Sequence, residues 1–189
     1  MPLPAPAARE PAHTRVVTCL GFTREDNLWD IEGRMVDTKP YRFSNQDRGG
    51  WIEAEEALHD MSIRLTVDLD LNVIDAVAVI DASPYSYCHS IAAIATQLIG
   101  LQIAPGWTKK SKAAMGLNLG CTHLTELLGP IATTAIQTIT SAKIQRLKQQ
   151  SEAKTSSRLT FINSCHSYAS HSPVVKTHWP DQYCPAPPE

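Results

Sequence analysis

Along the first half of the chain apolar and polar residues alternate at period two; in the second half the apolar positions recur at helical spacing. Thr14–Phe22 (TRVVTCLGF) reads as a strand closed by the polar turn Thr23–Asn27. In Leu28–Thr38, Trp29, Ile31, Gly33 and Met35 alternate with Asp30, Glu32 and Arg34, which predicts a strand with one buried and one wet face. Lys39–Trp51 is rich in turn formers and reads as a long loop. In His59–Asp68, Met61, Ile63, Leu65 and Val67 point one way and Ser62, Arg64, Thr66 and Asp68 the other. Its neighbour Val73–Asp81 is apolar on nearly both sides, the pattern of a strand covered on both faces. Leu69–Asn72 joins the two as an antiparallel hairpin.

Ile91, Ile94, Ala95, Leu98 and Leu101 predict a helix ending near Gly100. A short basic helix fits Thr108–Met115, between Pro105-Gly106 and Gly116. The longest runs from about Thr122 to Gln149, with Pro130 inside it to kink or divide it. The stretch after Lys148 is polar and linker-like, Leu159–Ser164 reads as a short strand, and the Pro-rich end as irregular. Strands first and helices afterward give an α+β class, an antiparallel sheet with helices packed on one face. Residues 1–13 form an arm with four prolines, 14–150 one α+β domain, and 151–189 an extension expected to pack on it.

The 189 residues, 43% hydrophobic and 19% charged, suit one globular domain with its own core. A net charge of −2 gives no reason to expect nucleic acid or an anionic membrane as partner. No apolar run approaches the roughly twenty residues of a membrane span. The start lacks the apolar stretch of a secretory signal, and five cysteines are an odd number at low density; both fit a cytoplasmic protein. No P-loop, dinucleotide motif, G-x-S-x-G or H-E-x-x-H is present.

The soft ligands are unevenly placed. His59 opens a predicted strand, Cys88 and Cys121 each precede a predicted helix, His123 follows Cys121 by two residues, and Cys165-His166 lie near the end. Thiolate and imidazole are the donors that zinc, iron and iron–sulfur clusters prefer. A cysteine at a helix start is biased toward thiolate by the unpaired N–H groups there, which suits metal binding and nucleophilic attack alike. Gly120, just before Cys121, lets the backbone approach something closely. The candidate ligands are His59, Cys88 and Cys121, with His123 as fourth ligand or acid/base and Asp60 as orienter or proton shuttle. Asp81 and Glu126 are further carboxylates, and Arg64 a candidate for holding an anionic substrate. Plainer roles stay open: Cys88 as a small buried apolar residue, Cys165-His166 as a structural tail contact, and the carboxylates as solvated surface.

The strings HDM (His59–Met61), GCTHLTELLGP (Gly120–Pro130) and SCHSYA (Ser164–Ala169), with DNLWDIEG and DTKPY, resemble those of an uncharacterised bacterial family. From His59 to Thr140 the order of elements also resembles the IscU/NifU-type iron–sulfur scaffold fold. That resemblance implies an IscU/NifU-like core with extra N-terminal strands. His59 stands where the first cysteine of that family would be, Asp60 near its aspartate, Cys88 at the second cysteine and Cys121 at the third. A histidine in place of a cysteine favours a mononuclear zinc or iron site over an iron–sulfur cluster. GLNLG (Gly116–Gly120) replaces the segment that chaperones recognise in that family. The expectation is a metal-dependent enzyme, of lyase or hydrolase type, acting on a small molecule. An iron–sulfur or sulfur carrier and a non-catalytic binding module are the alternatives, and a homodimer is left open.

Overall fold

Thr14–Thr23 (β1), Trp29–Thr38 (β2), Phe43–Asn45 (β3), Gly50–Ile52 (β4), His59–Val67 (β5) and Val73–Ala82 (β6) are the strands of the computed structural model, which describes residues 3–116, 118–150 and 162–185. Four of them form an antiparallel sheet in the order β1-β2-β5-β6, and β3 with β4 forms a separate two-stranded sheet. The helices are Trp107–Met115 (α1), Thr122–Gln150 (α2) and Pro173–His178 (α3), and the class is α+β as the sequence predicts. Among the described residues no helix is long and apolar enough to cross a membrane.

Alternation decides which face is covered. Trp29, Ile31 and Met35 of β2 and Met61, Ile63, Leu65 and Val67 of β5 are buried together with Leu124, Leu127, Leu128, Ile131, Ala135 and Ile139 of α2. Arg34, Arg64 and Glu32 point from the opposite face into solvent. β6 departs from its prediction. Val73, Ala76 and Ile80 are buried, but Val77 and Val79 are exposed, because the helices cover one face of the sheet only. Its apolar composition does not mean two covered sides.

Two other segments differ from their prediction. Lys39–Trp51 contains the small sheet, whose strands of three residues are too short to show a period. Between them Asn45 caps a single 3₁₀ turn, its side-chain oxygen accepting from the Arg48 N–H at 3.0 Å. Ser86–Leu98 winds as 3₁₀ turns rather than as an α-helix. Ile91 and Ile94, and likewise Ala92, Ala95 and Leu98, recur every three residues, and in a 3₁₀ helix positions three apart lie above one another. Leu159–Thr160–Phe161 of the expected short strand lie outside the described residues, and 162–164 form a turn.

α2 runs along β1 in the same direction. Arg15 meets Glu126, the ideal Cβ of Gly33 would stand 2.7 Å from the Ile131 Cδ1, and that of Gly21 2.1 Å from the Thr138 Oγ1. The two glycines let the helix backbone sit close against β1 and β2. Pro130 lies within α2 without dividing it. The indole N–H of Trp107 donates to the Leu128 carbonyl at 3.0 Å and ties α1 to α2.

The chain divides into two compact units, Met1–Gln145 and Arg146–Glu189. In the second, Ser172 caps α3 by accepting the Val175 N–H, Pro173 occupies the first turn, and Val175 is buried. Pro180–Gln182 forms a 3₁₀ turn. Cys165 is exposed.

Gly33→Ala is expected to lower stability by about 1–3 kcal/mol, the usual cost of overpacking. Adding Ile131→Val, which removes the Cδ1 methyl from the clash, should recover part of that loss. Denaturant unfolding of the single and double variants reads both; an unchanged midpoint in Gly33→Ala would contradict the close approach.

Candidate metal centre

The register of the sheet builds the site. Arg15 of β1 is the direct cross-strand partner of Asp37 in β2, and Asp37 that of His59 in β5, so the three form one row across adjacent strands. In β2 the buried positions are Trp29, Ile31, Gly33, Met35 and then Asp37, which carries the alternation to the end of the strand. A carboxylate therefore stands on the apolar face, 1% exposed. An unpaired charge there would be costly, and every nearby donor is turned to it.

Arg15 binds Asp37 through two bonds, Nε to Oδ1 at 2.7 Å and Nη2 to Oδ2 at 2.8 Å. His59 donates its Nδ1–H to Oδ2 at 2.9 Å, and His13 donates from Nε2 to Oδ1 at 3.3 Å. These four bonds fill the acceptor sites of an ionised carboxylate. Burial pushes the Asp37 carboxyl upward; the Arg15 hydrogen bonds and charge, then the His59 and His13 bonds, outweigh it, and the net effect is a fall from 3.8 to about 2.

α2 supplies the other wall. The Cys121 carbonyl accepts the first helical bond, from the Thr125 N–H at 3.0 Å, so His123 lies in the first turn. Gly120 has no room for a side chain: its ideal Cβ would lie 1.7 Å from the Met115 carbonyl oxygen. That is the close approach its position suggests. The His123 ring lies over that of His59 with centroids 3.9 Å apart and planes tilted by 34°. Three residues along the helix, Glu126 accepts from the remaining arm of Arg15 at 2.5 Å. Both imidazoles are held below their ordinary 6.5 and are neutral at pH 7. For His59 the causes are burial, then His123, against the pull of Asp37; for His123 they are burial, then the Arg15 charge.

Asp37, His59 and His123 each offer a ligand atom within 4.8 Å of the others, and they form a candidate metal-binding triad. Of the sequence-derived candidates, the structure brings together His59 and His123. Cys88 and Cys121 do not join them in any group of three such ligands among the described residues. Cys121 turns its thiol toward the Met61 sulfur, 3.8 Å away, at the margin of the core. Cys88 is the third residue of the 3₁₀ segment and is half-buried. Asp60 follows His59 in the strand and so points to the other face, where Arg34 grips it at 2.8 and 2.6 Å. Arg64 is likewise on that face, 3.9 Å from Glu32. Residue type alone does not single out Asp37 or Arg15, but extending the alternation of β2 by two residues places an acid, Asp37, on its apolar face.

A family described as a protein of unknown function (DUF2889) matches residues 13–137. The chain belongs to that family. The matched span contains His13, Arg15, Asp37, His59, His123 and Glu126. No curated protein and no solved structure matches the chain.

The depressed groups fix a pH dependence. Unfolded imidazoles take up protons near 6.5, before His59 and His123 do so in the fold, so stability is expected to decline as pH falls below that value. A further loss follows as pH falls from 3.8 toward about 2, where Asp37 protonates in the fold. Urea midpoints measured across pH should show both phases, and His59→Gln/His123→Gln should flatten the first. A first phase of equal slope in that variant would contradict the depressed imidazoles.

Proposed function

We propose that this chain is a metal-binding protein in which a zinc or iron ion is held by the imidazoles of His59 and His123, with Asp37 as the carboxylate behind His59. The observation that carries the reading is the buried bond from His59 Nδ1–H to Asp37, with the His123 ring 3.9 Å from that of His59. A carboxylate on Nδ1 fixes the tautomer, leaves Nε2 with its lone pair free, and raises the basicity of that nitrogen. Asp37 is a poor direct ligand, since Arg15, His59 and His13 already occupy its oxygens. Its role is to orient, and that of Arg15 is to keep it charged.

Two imidazole ligands leave positions on an ion for water and for a small molecule. When bound, zinc would lower the pKa of a coordinated water toward about 7 or polarise a carbonyl. Such chemistry is that of a metal-dependent enzyme of lyase or hydrolase type. The chain's own groups would then act around it: Arg15 balances the Asp37 charge, and Glu126 is the exposed carboxylate at the rim. A sulfur or iron–sulfur carrier role, as the IscU/NifU likeness implies, has less to rest on, because the Cys121 thiol faces Met61 and not the imidazole pair.

Elemental analysis of protein purified without chelators, followed by zinc and cobalt titration, tests this reading. His59→Ala and His123→Ala are expected to abolish binding, and Asp37→Asn to weaken it by about 10–100-fold, as loss of an orienting carboxylate does. Cys88→Ser and Cys121→Ser should bind as the parent does. Protein that takes up no metal, or metal lost in the cysteine variants alone, would overturn it.

A further inference from the structure

The two edges of the main sheet are treated differently. At β6 the backbone is covered from outside at its first residue, where the Val73 N–H donates to the Leu101 carbonyl at 2.8 Å and the Gly100 N–H to the Val73 carbonyl at 2.9 Å, and the strand carries two acids, Asp75 and Asp81. The pairing of β5 with β6 also carries two irregularities, at Asp60/Met61 and Thr66/Val67, and such bulges blunt an edge. β1 has none of this. It pairs with β2 over ten residues without a register shift. Among the described residues no backbone bond reaches its outer side. It holds no proline, no lysine and no acid. Its one charged side chain, Arg15, is turned inward and committed to Asp37 and Glu126, so it does not guard the edge. Val16, Leu20 and Phe22 share the open face of this strand and are 53%, 50% and 45% exposed.

A long, regular, apolar and unguarded edge is a template for another strand. We infer that the outer edge of β1 is a homodimer interface, at which the β1 of a second copy adds antiparallel across a two-fold axis and joins the two four-stranded sheets into one. The sequence of β1 is self-complementary under that operation. In an antiparallel pair, residues directly opposite one another share a face. Centring the axis on Cys19 sets Val16 against Phe22 and Thr18 against Leu20 on the open face, each twice. On the helix face it sets Val17 against Gly21 and Arg15 against Thr23. Aromatic and β-branched side chains meet, and no like charges do. The metal reading is independent of this, since Asp37, His59 and His123 come from one copy.

The test is sedimentation of the full chain over a dilution series, with Val16→Lys/Leu20→Lys as the variant. Both substitutions lie on exposed positions facing away from Arg15. The parent is expected to be a dimer at micromolar concentration, and the variant to dissociate about 100-fold more readily, as loss of central interface anchors does. Should the variant fold poorly by circular dichroism, amide exchange on the parent decides. The β1 amides that face away from β2 should be protected in the concentrated sample and exchange rapidly after dilution. A monomeric parent, a dimer that the two lysines leave intact, or outward β1 amides unprotected at high concentration would each overturn the inference.

Discussion

A carboxylate enclosed as fully as that of Asp37 has to be met by donors, and much of the sheet is arranged to meet it. Arg15 and His59 are its partners on the two neighbouring strands, so the ion pair and the imidazole bond are also statements about register. Sliding either strand by one residue would turn Arg15 or His59 to the solvent face and strand the charge. The hydrophobic alternation of β2 and β5 specifies the same register from Trp29 to Met35 and from Met61 to Val67. Packing and polar pairing thus point to one arrangement, and this consistency is what allows a buried charge to persist.

The helix completes the site because the sheet leaves it room. Gly21 and Gly33 permit α2 to lie against β1 and β2, and Gly120 permits the turn that starts it. With the helix start fixed, the first turn carries His123 over His59, and the next residue on that side, Glu126, reaches Arg15. The chain from Glu126 through Arg15, Asp37 and His59 to His123 is continuous. One end is exposed and the other closes on a pair of neutral nitrogen donors.

The class of the fold, the four main strands, the hairpin and the long helix could be read from periodicity, since each is long enough to show one. The small sheet could not, because three residues contain no period, and the 3₁₀ segment is not distinguishable from an α-helix because apolar residues three apart serve both. His59 and His123 stood out by residue type. Among the described residues Cys88 and Cys121 share no three-ligand group with them: a cysteine at a helix start signals reactivity but not direction, and Cys121 turns its thiol to the core margin. Asp37 was legible in principle as the fifth term of Trp29, Ile31, Gly33, Met35, but its value comes from Arg15, twenty-two residues away. Pairings across strands depend on register, which a single sequence carries only indirectly.

Everything at the site turns on Asp37 holding His59 as a neutral imidazole protonated on Nδ1, with Nε2 free. Nitrogen-15 spectroscopy of the histidine rings at neutral pH tests it most directly. A protonated Nδ1 and an unprotonated Nε2 are expected for His59, with the Nε2 resonance moving when zinc is added. A His59 ring protonated on Nε2, or on both nitrogens, at neutral pH would contradict it.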